Sequence, residues 1–169
     1  MKTLYLILIA LSIHTLSVAQ TVEELDKKGG FKDFKVGENI VTYKNFGKFT
    51  KTLENVDTRM FLIKDLVSVK TYTGEVELRV YKDKVQGIIV SFKNSSKAGF
   101  EDILKSLETL YGPSTQLKKK TPDLERFEKI MTWTGKKISL RLAFDEKRSV
   151  TEMAFLEHTD TVDKLKEEF

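Results

Sequence analysis

The side chains able to do chemistry are few, and their types restrict what this chain can be. It has no cysteine and two histidines, His14 and His158. Without cysteine there is no thiol nucleophile, thiolate metal site or dithiol redox pair. His14 lies in an apolar N-terminal stretch, which leaves His158, next to Glu157 and close to Asp160. One histidine beside acids is more often a surface residue than the base of a Ser-His-Asp triad. No His-Glu-x-x-His run, calcium-loop spacing of acids or phosphate-cradling glycine loop occurs, and Gly29-Gly30 is the only glycine pair. The reading is no catalytic motif, no metal site and no cofactor. Carboxylates are plentiful, so a hydrolase built on a carboxylate pair stays open as an alternative.

Binding chemistry is better represented. Thr71-Tyr72-Thr73-Gly74 precedes Leu78-Arg79-Val80, and Thr132-Trp133-Thr134-Gly135 precedes Leu140-Arg141-Leu142. Tyr72 and Trp133 stand 61 positions apart (133 minus 72), a spacing that reads as an internal repeat. Trp133 is the only tryptophan. Aromatic and arginine side chains are over-represented where proteins bind partners, which makes Tyr72, Trp133, Arg79 and Arg141 the candidate binding residues. The competing reading packs both rings into the core, the usual fate of aromatic residues at strand ends. Lys118-Lys119-Lys120 and Lys136-Lys137 read as solvated turn charge rather than as an anion site. Asn94-Ser95-Ser96 fits a glycosylation triplet, and the same serines can cap a following helix.

These residues need a scaffold, and its beginning is distinct. Met1-Lys2-Thr3 leads into an apolar run from Leu4 to Leu11 continued by Ile13 to Val18, with Ser17 and Ala19 small before Gln20. That is the layout of a secretory signal peptide over residues 1–19, with export to the periplasm or outside the cell. No cysteine follows for lipid attachment, so the expected mature chain is soluble. The whole chain has 29 basic and 25 acidic residues, and the segment before Gln20 carries Lys2 and no acid, which leaves 28 minus 25, or +3. So mild and mixed a charge lacks the clustered basic face that nucleic acid requires.

Residues 20–30 are polar, end in two glycines and read as a flexible leader. Phe31 to Gly37 alternates as a short strand, and Glu38 to Phe49 as a short helix broken at Gly47. Met60 to Val69 reads as a strand irregular near Asp65, and Gly74 as a turn. Strands follow with Val76, Leu78 and Val80, then Ile88, Val90 and Phe92, sharing one face, and Gly87 marking a bulge or close packing. Phe100, Ile103, Leu104, Leu107 and Leu110 form one helical stripe over Lys97 to Tyr111, capped by Ser95 or Ser96 and stopped by Gly112-Pro113. After a polar loop from Ser114 to Glu125 come strands at Phe127 to Trp133, Ile138 to Phe144 and Val150 to Leu156.

The expected fold class is α+β: two tandem helix-plus-three-strand units, residues 31–95 and 96–158, forming an antiparallel sheet with helices on one face. Residues 159–169 form a charged tail. The other face carries Glu77, Arg79, Tyr81, Ser91, Lys93, Ser139, Arg141 and Glu152. Three stretches, Gly30 to Gly37, Leu110-Tyr111-Gly112-Pro113 and Trp133-Thr134-Gly135-Lys136, together with the end Ala19-Gln20, resemble small exported proteins of Bacteroidota. That resemblance implies export and no particular activity. The tandem helix-plus-sheet order is similar to β-lactamase-inhibitor-type and outer-membrane assembly lipoprotein modules, although this chain has neither the lipid-bearing cysteine nor disulfides. That likeness implies protein binding through a sheet. The expected function is a non-enzymatic exported binding module holding a protein or envelope component on its open sheet face. A small carboxylate-dependent hydrolase and a structural envelope protein are the alternatives. Edge strands can pair between chains, so the sequence leaves the oligomeric state open.

Overall fold

The computed structural model describes residues 23–43, 50–55, 58–69, 72–118 and 121–158. The proposed signal peptide, the tail, residues 44–49 and Lys119-Lys120 lie outside the described residues. The order is α1 (residues 23–28), β1 (Gly30–Phe31), β2 (Phe34–Lys35), a 3-10 turn (Ile40–Tyr43), β3 (Thr50–Asn55), β4 (Thr58–Val69), β5 (Tyr72–Tyr81) and β6 (Lys84–Lys93). Then follow α2 (Lys97–Tyr111), β7 (Thr115–Gln116), a 3-10 turn (Pro122–Leu124), β8 (Lys129–Thr134), β9 (Ile138–Asp145) and β10 (Val150–Glu157). The class is α+β, as the alternating patterns imply.

Eight strands form one antiparallel sheet in the order β3-β4-β5-β6-β10-β9-β8-β7. Each half is a meander, and the last strands of the two halves, β6 and β10, pair at the centre from Lys93↔Val150 to Gly87↔Leu156. Both helices lie on one face. There Leu25 of α1 and Phe100, Ile103, Leu104 and Leu107 of α2 join Val76, Leu78, Ile88, Val90, Phe92, Leu140, Leu142, Met153 and Phe155 in the main core.

The α2 stripe is as its period demands, apart from its end. Leu110 is 46 % exposed and Tyr111 is buried in its place. At 3.6 residues per turn, Leu110 sits about 80° from the stripe centred on Phe100, while Tyr111 returns to within about 20° of it. Ser96 caps the helix by accepting from the Gly99 N–H at 3.2 Å. Gly112 ends it at φ 80°, its N–H donating to the Glu108 carbonyl.

Two glycines act differently from their sequence reading. Gly74 lies inside β5 rather than in a turn. A Cβ there would come within 2.9 Å of the Phe92 ring, so it is close packing that requires the glycine. Gly135 does stand between β8 and β9, and a Cβ on it would collide with the Asp26 carboxylate. The irregularity near Asp65 is real: the β4–β5 register shifts between Ile63 and Val67. So is the bulge beside Gly87, where the β5–β6 register slips between Arg79 and Val80.

Of the segment expected to be a flexible leader, the described residues 23–30 are built into the fold. Leu25 is fully buried. Asp26 accepts from the backbone N–H groups of Lys136, Lys137 and Ile138 at 2.7, 2.9 and 3.0 Å. Hydrophobic content is sparse across residues 20–30, so a pattern reading has little to detect, yet one leucine and one aspartate fasten α1 to the β8–β9 turn. Partial burial raises the Asp26 carboxyl, but the three N–H donors outweigh it and hold it below the ordinary 3.8.

Two outcomes follow. Leu107→Ala should destabilise by about 2–5 kcal/mol in denaturant unfolding, and Leu110→Ala should be near neutral. Wild type should unfold at a higher temperature than Asp26→Asn at neutral pH. A group with a depressed folded pKa loses its contribution as pH falls through that value, so the gap should close below about pH 3.8. A gap independent of pH would contradict the ionic account.

Candidate functional site

The sheet face away from the helices carries the polar half of each strand. One row runs straight across it: Glu77 on β5 opposite Ile89 on β6, Ala154 on β10, Arg141 on β9 and Thr132 on β8. In the next row Glu75 faces Ser91, which faces Glu152. Arg79 lies one row the other way, opposite Gly87. A Cβ on Gly87 would lie 3.1 Å from the Leu156 Cδ2 and in ordinary contact with the Arg79 stem at 3.5 Å, so the glycine is packed most closely against Leu156.

This face is not wholly open. The connection from β7 to β8 folds over its β8–β9 half. Leu124 and Phe127 are buried there against Ile130 and Ala143, with Leu117 alongside, as a second small core. Where the cover stops, a cleft of about 370 Å³ remains, floored by β5, β6, β10 and β9 and rimmed by Asp123, Arg126 and Phe127. Glu77, Arg79, Ser91, Arg141 and Glu152 all line it. Such a volume is within the range of small-molecule sites.

Glu152 is the organising charge and is only 8 % exposed. Its two oxygens are taken separately, Oε2 by Arg126 at 2.9 Å and Oε1 by Arg141 at 3.3 Å. A buried carboxylate is tolerable only when its oxygens are satisfied in this way. The Arg126 guanidinium also sits 4.5 Å from the Phe127 ring centroid, a cation–π contact. Among the described residues, the buried Nε of Arg141 has no hydrogen-bond partner. Glu77 stands 3.7 Å from Arg79. Burial raises the Glu77 carboxyl above its ordinary 4.5, Arg79 draws it back, and the nearby Glu152 charge pushes it up again, with a net upward shift. Asp123, at the rim, is fully exposed and lowered, first by the Thr121 hydroxyl it accepts from and also by the charges of Arg141 and Arg79.

Two of the four candidate binding residues from the sequence meet here, and two do not. Arg79 and Arg141 line the cleft from opposite halves of the chain. Trp133 lies on the helix-covered face, 3 % exposed, with its Nε1–H donating to the Gly112 carbonyl at 2.8 Å. Tyr72 points the same way and packs against the main core, where a Cβ on Gly99 would lie 2.5 Å from its hydroxyl. The four do not form one rim. The matching tetrapeptides sit in non-equivalent places, one opening β5 and one closing β8. Leu78-Arg79 on β5 and Leu140-Arg141 on β9 each lie one strand out from the central pair.

Sequence reasoning missed Arg126, Asp123 and the roofing pair Leu124 and Phe127. The available signal was Leu124, a large apolar residue near the end of a polar loop, followed closely by Phe127. His158 is exposed, its backbone N–H donating to the Lys137 carbonyl, and it takes no part in the cleft. Among the described residues no group of His, Asp or Glu is arranged to hold a metal, and no helix is long and apolar enough to cross a membrane. Comparison with protein-family models, curated proteins and solved structures finds no match to this chain.

Arg141→Leu should cost about 3 kcal/mol in unfolding, because it strips one partner from the buried Glu152 while Arg126 keeps the other. The double change Arg141→Leu with Glu152→Leu should cost clearly less than Arg141→Leu alone. A larger loss in the double variant would contradict the pairing account.

Proposed function

We propose that this protein is a non-enzymatic, exported binding module that holds a protein or envelope component on the sheet face opposite its helices. The observation that carries the reading is the convergence of Arg79, Arg126 and Arg141 from three separate elements on one cleft. Arg79 and Arg126 are 49 % and 45 % exposed, so their donors reach a ligand at the surface. Arginines in a partly dehydrated cleft give directional contacts to acidic or carbonyl groups. Export rests on the N-terminal pattern of residues 1–19.

A carboxylate-dependent hydrolase is the second reading, favoured by one observation. The raised carboxyl of Glu77 suits a general acid. Its nearest buried counterpart, Glu152, has both oxygens engaged by guanidinium groups and offers neither a nucleophile nor a base. That engagement weighs against the hydrolase.

The test is affinity capture from the envelope fraction, comparing wild type with Arg79→Glu, a half-exposed position where reversal of charge leaves the core intact. A component retained by wild type and lost by the variant is the expected result. Equal recovery by both would overturn the cleft as the binding surface.

A further inference from the structure

The charges lining the cleft cancel. Arg79, Arg126 and Arg141 stand against Glu77, Glu152 and Asp123, three cations to three anions when all are ionised. Each arginine also has an acid beside it. Arg126 and Arg141 hold Glu152 at 2.9 and 3.3 Å, and Arg79 lies 3.7 Å from Glu77. A second hollow next to Ser91 is balanced as well, with Glu75 and Lys93 2.8 Å apart. With every group ionised, neither hollow has net charge to offer an anion.

The three acids are not held equally. Glu152 accepts from a guanidinium at each oxygen, and a proton on it would displace one of the two. Asp123 accepts from the Thr121 hydroxyl at the exposed rim. Glu77 has one guanidinium at 3.7 Å, beyond hydrogen-bond distance, and its side chain is only 25 % exposed. Of the three, Glu77 has the fewest contacts holding it ionised. Burial raises its carboxyl first, the Glu152 charge adds to that, and Arg79 offsets only part, so its titration lies above the ordinary 4.5.

We propose that Glu77 is a proton-operated switch on the anion affinity of this cleft: ionised, it occupies Arg79 and leaves the lining neutral, and protonated, it releases Arg79 to an anionic group of the bound component. The inference adds regulation to the binding-module reading and rests on it. Once Glu77 is neutral, three cations face two anions, a net charge of +1. Arg79 is the group set free, and at 49 % exposure it reaches solvent. The other charges around Glu77 do not supply a substitute counter-ion. Glu75 on β5 is engaged with Lys93 of β6. From β10 and β9 come Glu152 and Arg141, which are paired with each other, and from the β7–β8 connection come Arg126 and Asp123. On β4 the register places Leu62 beside Glu77, with Lys64 two residues further along. The sign follows from the raised carboxyl: the neutral form gains as pH falls from neutral, so anion affinity rises with acidity.

NMR on the chain from Gln20 onward tests this with sulfate, a probe whose own charge is constant across the range used. Shifts of the arginine side-chain N–H signals report binding at about pH 7.5 and about pH 5, on either side of the carboxyl's raised titration, at constant ionic strength. Wild type should bind sulfate at least about fivefold more tightly at the lower pH, the effect of one unit charge about 4 Å away even in bulk water. Glu77→Gln should bind at both pH values at least as tightly as wild type does in acid. Arg79→Gln should lose the pH-dependent part and keep the wild-type unfolding temperature, which separates loss of contact from loss of fold. His158→Gln should leave the pH dependence intact, because that exposed histidine is outside the cleft. By reciprocity, sulfate should move the titration of the Glu77 carboxyl to higher pH. Equal binding by wild type at the two pH values, a pH dependence that survives in Glu77→Gln, or one that disappears in His158→Gln overturns the inference. If sulfate fails while envelope capture in acid still depends on Arg79, the switch falls and the binding-module reading stands. If sulfate responds as expected while capture is independent of Arg79, the binding-module reading falls and the titration of the cleft stands.

Discussion

The pairing of β6 with β10 is the interaction on which the rest of this structure depends. Each half of the chain is a meander that could close on nothing by itself, with one apolar face and one exposed central edge. Joining the two last strands from Gly87 to Lys93 removes both edges at once and makes a single eight-stranded sheet. It also aligns the rows. Because Ile89 meets Ala154 and Ser91 meets Glu152, Glu77 and Arg79 from the first half share a cleft with Arg141 and Glu152 from the second. A slip of one residue would send Glu152 into the helix-covered core and Met153 to the surface.

The helices stabilise this join by crossing it. α1 belongs to the first half, yet its Asp26 holds the β8–β9 turn of the second. α2 opens the second half, yet its Gly99 packs under Tyr72 of the first. At the N-terminus of α2, the buried hydroxyls of Ser95 and Thr151 meet at 2.7 Å, satisfying two polar groups that would otherwise be costly in the core. Of these contacts the Asp26 bonds lie nearer the surface, while the Ser95–Thr151 bond is sheltered in the core.

The same shelter gives the cleft its character. Beneath the roof formed by Leu124 and Phe127, charge is poorly solvated, so Glu152 requires two arginines and the Glu77 carboxyl rises. An internal Arg-Glu-Arg arrangement of this kind contributes little net stability against an apolar replacement, and it sets where guanidinium groups point. Two of the three arginines direct the remainder of their donors outward.

Much of this was present in the sequence. The α2 stripe from Phe100 to Leu107, its Ser96 and Gly112 ends, the alternation of Ile138 to Phe144, and the polar face bearing Glu77, Arg79, Arg141 and Glu152 all follow from local periodicity. Periodicity is a property of neighbours in the chain, and so it is legible there. Tertiary structure alone decided which pieces meet. The Thr-aromatic-Thr-Gly likeness pointed to equivalent turns, but Gly74 answers to the Phe92 ring and Gly135 to the Asp26 carboxylate, contacts made across the fold. Asp26 and Arg126 lie in polar segments with no period to mark them. Their roles depend on backbone N–H groups and on a carboxylate far away in sequence, and only the closed sheet brings those within reach.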